Sequence, residues 1–132
     1  MDRVTDEPDS TAKNLDGARA EAERRGVGSY GRHVFICTGP DCCTPEEGAA
    51  AWTRLKSAVA ALNARGEGPP IYRTKVGCLR ICQDGPTAVI YPEGTWYAGL
   101  TPEVLDRVIA SDLGRGERVD DQLIGENPLP TS

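Results

Sequence analysis

Residues 33–42 read HVFICTGPDC, a short apolar run that leads into the first of two cysteine pairs. A buried strand is predicted at residues 33–36, and it delivers Cys37 at its carboxyl end. Cys42 follows after four residues. A second pair, Cys78 and Cys82, follows after 35 more, with three residues between its members. Two close pairs of soft ligands predict a metal centre.

The spacing of the cysteines bears on the kind of metal. Zinc sites usually repeat one short knuckle, with about two to four residues between paired ligands. The unequal intervals of this chain favour a [2Fe-2S] cluster, in which each iron takes two thiolates. A structural zinc site with four cysteine ligands stays an alternative. Cys43 complicates the count, because it stands directly after Cys42.

A helix is predicted to begin just after the first cysteine pair. Thr44 provides a hydroxyl for the N-cap, Pro45 occupies the first helical position and Glu47 the third, which together form a capping box. Gly66 ends the helix. Four apolar residues at helical spacing give it a face for the core, namely Trp52, Leu55, Val59 and Leu62.

The remaining elements form a strand, a hairpin and a second helix. A strand is predicted at residues 71–76, directly before the second cysteine pair. Two β-rich runs, residues 87–91 and 95–98, flank the turn residues 92–94 and predict a β-hairpin. Thr101 caps the second helix. The order β-α-β-β-β-α predicts an α/β fold: a four-stranded mixed sheet with helices packed on it, in which a crossover helix joins two parallel strands.

The domain is predicted to span residues 32–124. Residues 1–31 mix charges of both signs with few large apolar side chains, so they predict a disordered polar N-terminal arm. Within this arm, residues 15–25 could form a transient helix, although they have no apolar stripe. Residues 125–132 are predicted to be a flexible C-terminal tail.

Composition narrows the class of protein. The 132 residues suffice for one domain. The net charge of -5 argues against a nucleic-acid partner, and an acidic surface suits docking to a basic patch on a protein. No run of 18 apolar residues occurs, which predicts no membrane span. The amino-terminal residues lack the apolar segment of a secretory signal, so a cytoplasmic location is expected, where clustered cysteines more often hold metal than form disulfides.

The two cysteine-bearing stretches resemble the thioredoxin-like [2Fe-2S] ferredoxins. The resemblance covers residues 32–124, and its most specific parts are HVFICTGPDC at residues 33–42 and GCLRICQDGPTAVIYPEGTWYAGLTPE at residues 77–103. It extends, more distantly, to the small iron-sulfur subunit of NADH dehydrogenases and related hydrogenases. The resemblance implies a thioredoxin-like fold, a homodimer, and a [2Fe-2S] cluster held by Cys37, Cys42, Cys78 and Cys82.

Three positions within the resemblance carry further expectations. Cys42 keeps the four-residue interval of the relatives and is favoured over Cys43 as the second ligand. Arg80 stands between the late cysteines, and we hypothesise that its charge raises the reduction potential; an exposed arginine without that role is the alternative. Pro86 stands where thioredoxin-like folds often carry a cis-proline.

These observations predict an electron-transfer protein and not an enzyme. Its function would be to carry one electron at a time between a reductase and an acceptor oxidoreductase. No nucleotide-binding loop or catalytic nucleophile motif is present in the sequence. The alternatives are an iron-sulfur subunit of a larger dehydrogenase complex, the zinc module, and a redox-sensing module. A thiol-disulfide protein of this fold would need a Cys-x-x-Cys motif, which the chain lacks.

Overall fold

The computed structural model describes residues 13–130, and residues 1–12 and 131–132 lie outside it. In chain order the elements are α1 (Asp16–Arg24), β1 (Arg32–Cys37), α2 (Pro45–Arg65), β2 (Ile71–Val76), β3 (Thr87–Tyr91), β4 (Thr95–Tyr97), α3 (Pro102–Val108) and β5 (Leu123–Glu126). A π-helical turn, Ile109–Leu113, continues α3. No helix among the described residues is both long and apolar enough to cross a bilayer.

The strands form one mixed sheet in the order β2-β1-β3-β4-β5. β1 and β2 are parallel and are joined by α2, while the other neighbouring pairs are antiparallel. The predicted α/β class and mixed sheet are confirmed, but the predicted count of four strands is wrong. The fifth strand escapes prediction because it has four residues, includes a glycine and lies at an exposed edge, where an apolar pattern is weak.

Local signals place α2 where the sequence predicts it. The Thr44 side chain accepts a hydrogen bond from the Glu47 backbone N–H at 3.1 Å, and Glu47 accepts one from the Thr44 N–H at 2.8 Å. Gly66 ends the helix with a left-handed φ of 63°. Leu55 and Val59 are buried in the core, whereas Trp52 is half-buried at its margin.

α2 and α3 pack on one face of the sheet. That face presents alternate residues of β1 and β3, which join apolar side chains of α2 and α3: Val34, Ile36, Ala88, Ile90, Leu55, Val59, Leu105 and Val108. At the far side of the core, the buried Asp112 carboxylate accepts hydrogen bonds from Thr95 at 2.9 Å and Tyr97 at 2.6 Å. These bonds fix the π-helical turn beneath β4.

Both ends of the chain carry structure within the segments predicted as arm and tail. α1 lies inside the predicted arm and buries no residue. β5 extends to Glu126, and the Asn127 N–H donates to the Gly94 carbonyl at 2.8 Å. The disorder predicted for the start of the arm concerns residues 1–12, which lie outside the described residues. The domain limits of 32 and 124 stay a prediction.

Candidate metal centre

The topology brings both cysteine pairs to one end of the sheet. Cys37 is the last residue of β1, and its register partner on the parallel strand β2 is Val76, the last residue of that strand. Cys78 follows two positions later, and Cys82 lies on the same loop. Because parallel strands end at the same edge, the β1 and β2 cysteines meet there.

The early cysteines form a small buried cluster. Cys37, Cys42 and Cys43 are 2%, 7% and 9% exposed, and Val76 and Leu79 pack against them. The Cys42 Sγ lies 3.5 Å from the Cys37 carbonyl oxygen and 3.8 Å from the Cys43 Sγ. The Cys37 Sγ lies 3.7 Å from the Gly77 carbonyl, so this cluster touches the loop of the second pair.

The second pair is exposed to solvent and is shaped by its loop. Both Cys78 and Cys82 are exposed. The Arg80 backbone N–H donates a hydrogen bond to the Cys78 Sγ at 3.2 Å, and Arg80 has a left-handed φ of 72°. This conformation is uncommon for a residue with a Cβ, and here it points an amide at a sulfur.

Burial controls the acidity of the thiols in the absence of metal. Desolvation raises the pKa of Cys42 to about 12, and its hydrogen bonds to Cys37 and Cys43 act in the same direction. Burial also raises the pKa of Cys43, against an opposing hydrogen bond from Cys42. The pKa of Cys82 is raised by desolvation and by the neighbouring Cys78. Metal binding at these thiols therefore releases protons.

Two glycines hold the early loop close to its surroundings. A Cβ at Gly85 would collide with the Cys42 carbonyl oxygen and would lie 2.8 Å from the Cys42 Cβ. Gly39 has a φ of 96°, and a Cβ there would lie 2.7 Å from the Cys43 carbonyl oxygen. Gly77, in contrast, has open space around it. The Gly85 contact joins the loop of Cys42 to the loop of Cys82.

The donor set fits a [2Fe-2S] cluster. All five cysteines are free thiols, and soft thiolates in two pairs are the ligands that such a cluster takes. Within residues 13–130, no three His, Cys, Asp or Glu side chains are already grouped around the position of a single metal ion. Each iron of a [2Fe-2S] cluster takes two thiolates, which matches the two cysteine pairs.

The structure adds features that the sequence interpretation missed. The packing of Gly85 on Cys42 and the amide contact of Arg80 have no periodic signal, although the Gly85-Pro86 pair marks a tight backbone. The expected cis bond at Gly85-Pro86 is present, and Gly39-Pro40 and Tyr91-Pro92 are also cis. His33, near the start of β1, forms a 2.7 Å hydrogen bond with the Thr74 hydroxyl.

Sequence comparison finds related proteins of one kind. A Priestia megaterium protein assigned as a 2Fe-2S ferredoxin is 33% identical over 94 residues, which cover 71% of this chain and 70% of the relative. A 2Fe-2S ferredoxin of Aquifex aeolicus is 29% identical over 104 residues, which cover 75% of this chain and 94% of the relative. No family model matches the chain.

Comparison with solved structures gives the same result for the fold. A cysteine-to-serine variant of the thioredoxin-like [2Fe-2S] ferredoxin from Aquifex aeolicus superposes with a TM-score of 0.62 at 24% identity, covering 72% of this chain and 99% of the other. The wild-type protein gives a TM-score of 0.52 at 26% identity and covers 74% of this chain. The thioredoxin-like fold predicted from the sequence is therefore confirmed.

Proposed function

Because this chain belongs to the thioredoxin-like [2Fe-2S] ferredoxin family, we propose that it is a one-electron carrier and not an enzyme. It would accept an electron from a reductase and pass it to an acceptor oxidoreductase, in the cytoplasm, where thiols stay reduced. The observation that carries the proposal is that the two cysteine pairs begin at, or just after, the carboxyl ends of the neighbouring parallel strands β1 and β2. When bound, the cluster supplies the one-electron redox centre.

The proposed ligands are Cys37, Cys42, Cys78 and Cys82. Packing supports Cys42 over Cys43, because Gly85 holds the Cys42 backbone against the loop that carries Cys82. Cys43 instead packs on Gly39 and directly precedes the N-cap of α2. This packing supports Cys42 as the second ligand.

The chain's own groups set the electrostatics of the proposed site. The Arg80 amide contacts the Cys78 sulfur, and an N–H group directed at a thiolate stabilises added negative charge. The Arg80 side chain is exposed and has no carboxylate within 4.0 Å among residues 13–130. Its positive charge would favour the reduced state, in which the cluster carries one more negative charge.

A homodimer is also proposed, and the sheet face opposite the helices supports it. His33 stacks on Phe35 with ring centroids 4.0 Å apart, Tyr30 stacks on Tyr72 at 4.8 Å, and Tyr91 meets the edge of Phe35 at 6.2 Å. A half-buried aromatic face of this kind is typical of an interface. Sedimentation equilibrium of the wild type and of Phe35→Glu tests this proposal: the wild type should have twice the chain mass of 14.1 kDa, and the variant should be monomeric. A monomeric wild type would contradict it.

The electron-carrier function is tested by coulometric titration of anaerobically purified protein. One electron per chain, taken up and returned reversibly, is the expected result. Reversible transfer to an acceptor protein without turnover of a small-molecule substrate would support carriage. A protein that takes up two electrons per chain with formation of free thiols would instead be a thiol-disulfide protein.

A further inference from the structure

The cations of the described chain fall into two groups. Nine arginines lie within 4.0 Å of a carboxylate oxygen. The cations that have no such carboxylate among residues 13–130 are Lys13, Lys56, Arg73, Lys75 and Arg80.

Three of the unpaired cations surround one aromatic ring. Lys56, Arg73 and Lys75 lie 5.7, 5.4 and 5.8 Å from the Trp52 ring centre. Each distance suits a cation–π contact, but three like charges around one ring also repel one another. All three cations are exposed and Trp52 is half-buried. We call these four residues the Trp52 surface.

Two clefts extend the Trp52 surface, and none of the residues that line them within 13–130 carries a carboxylate. A cleft of about 510 Å³ is lined by the unpaired cations Lys56 and Arg73 and by Arg24 and Arg25, which both pair with Glu21. A smaller cleft of about 280 Å³ is lined by Trp52, Lys75 and Thr38. The surface is thus basic and aromatic, although the whole chain has a net charge of -5.

The Trp52 surface borders the candidate metal centre. Thr38, which lines the smaller cleft, directly follows Cys37, and its N–H donates to the Val76 carbonyl at 3.3 Å. Lys75 directly precedes Val76, which packs against the cysteine cluster. A partner seated on Trp52 would therefore contact the loop of the first cysteine pair.

We propose that the Trp52 surface docks an acidic redox protein, so that the partner's own redox centre lies next to the cysteine loops. This inference rests on the proposed electron-carrier function and identifies the face and charge of the partner. Exposed cations steer an anionic partner, and a half-buried tryptophan provides the aromatic anchor that is common at the centre of interfaces. This basic face favours an acidic partner, whereas the net negative charge of the whole chain favours a basic one.

Oxidation of the dithionite-reduced protein by small reagents tests the charge next to the site. Ferricyanide is anionic and hexaamminecobalt(III) is cationic. Each takes one electron from the protein and becomes ferrocyanide or hexaamminecobalt(II), while no atom is exchanged. We expect the ferricyanide rate to fall, and the cobalt rate to rise, as ionic strength increases. At low salt, ferricyanide should oxidise the triple variant Lys56→Gln, Arg73→Gln, Lys75→Gln about tenfold more slowly than the wild type.

A matched variant controls for net charge. Arg65, Arg115 and Arg118 lie at the end of the molecule away from the cysteine loops. α2 ends at Arg65, a Cβ at Gly116 would touch Arg32 at the start of β1, and Arg118 pairs with Glu126, the register partner of Thr95 at the start of β4. Arg65→Gln, Arg115→Gln, Arg118→Gln removes the same three charges and should retain the wild-type salt dependence. Equal behaviour of the two triple variants, or a wild-type ferricyanide rate that rises with salt, would overturn the proposal.

A binding measurement provides a second readout that needs no electron transfer. Poly-L-glutamate serves as the acidic macromolecule in calorimetric titration of the full chain, and its affinity should fall about tenfold in the Lys56 triple variant only. If a single-stranded oligonucleotide bound the same surface more tightly than poly-L-glutamate does, the choice of a protein partner would be overturned. A higher affinity for poly-L-glutamate after amide replacement of Asp2, Asp6, Glu7 and Asp9 would identify the chain itself as the occupant. This result would overturn the choice of a separate acidic partner.

The two proposals fail in distinguishable ways. A protein without visible absorption or iron would overturn the electron-carrier function, and this docking role with it. A red-brown protein whose oxidation rate is the same in the wild type and in the Lys56 triple variant would overturn the docking inference alone.

Discussion

The Sγ atom of Cys42 lies 3.8 Å from the Sγ atom of Cys43, and both thiols are buried beside Cys37. Two adjacent thiols at the same site make the second ligand a question of backbone packing, since both have the right chemistry. Gly85 fixes the Cys42 backbone against the late cysteine loop, and this contact favours Cys42.

Single serine substitutions separate the two candidates. Cys43→Ser should keep the iron content and the EPR spectrum of the reduced wild type, because Cys43 is proposed not to bind iron. Cys42→Ser should lower the iron content or change the spectrum. The pair of variants is measured after identical anaerobic purification. Loss of iron in Cys43→Ser, with an unchanged spectrum in Cys42→Ser, would assign the ligand to Cys43.

Gly85 and Gly77 offer a matched test of the loop contact. Gly85→Ala places a methyl group against the Cys42 backbone, and overpacking of this kind costs about 1–3 kcal/mol. The free energy of unfolding in urea and the iron content should both fall. Gly77→Ala adds the same group in open space and should change stability by less than about 0.5 kcal/mol. Equal effects of the two substitutions would contradict the role given to Gly85.

The charge of Arg80 is expected to raise the midpoint potential. Arg80→Ala should lower it by an amount on the order of tens of millivolts, because an exposed charge acts through solvent. Arg80→Lys keeps the charge and should stay close to the wild type. Both variants retain the backbone N–H that contacts Cys78. Redox titration followed by EPR measures the potential, and an unchanged value in Arg80→Ala rejects the hypothesis.

His33 is expected to make stability depend on pH. Desolvation lowers the pKa of His33 below its ordinary value of 6.5. Between the folded pKa and pH 6.5, the unfolded chain therefore binds more protons than the folded one. The free energy of unfolding should therefore fall as pH decreases from about 6.5 through the folded pKa. His33→Gln should flatten this dependence below about pH 6.5. Because His33 is the only histidine, a variant with the full wild-type slope would show that other groups cause it.

Much of the fold could be predicted from local signals. The capping box at Thr44, the alternation in β2 and the turn between β3 and β4 each set an element through residues close in sequence. β5 could not be predicted, because its stability comes from pairing with β4 and not from its own short pattern. α1 falls within the transient helix predicted at residues 15–25, and it buries no residue.

In the candidate site, too, some features follow from the local sequence and others only from the tertiary structure. Cysteine spacing and the resemblance both indicate Cys37, Cys42, Cys78 and Cys82, since ligand intervals are a local property of the sequence. The surroundings of Trp52 depend on tertiary structure. Its helical spacing predicts a core residue, but β2 is an edge strand that presents Arg73 and Lys75 on the helix-covered face, so Trp52 lies among cations at the margin.

The presence of a [2Fe-2S] cluster is the central claim, and spectroscopy of the full chain tests it most directly. Protein purified without oxygen should be red-brown, contain two irons per chain, and give a rhombic EPR signal after dithionite reduction. A colourless protein with stoichiometric zinc, or a metal-free protein with a disulfide, would contradict the account.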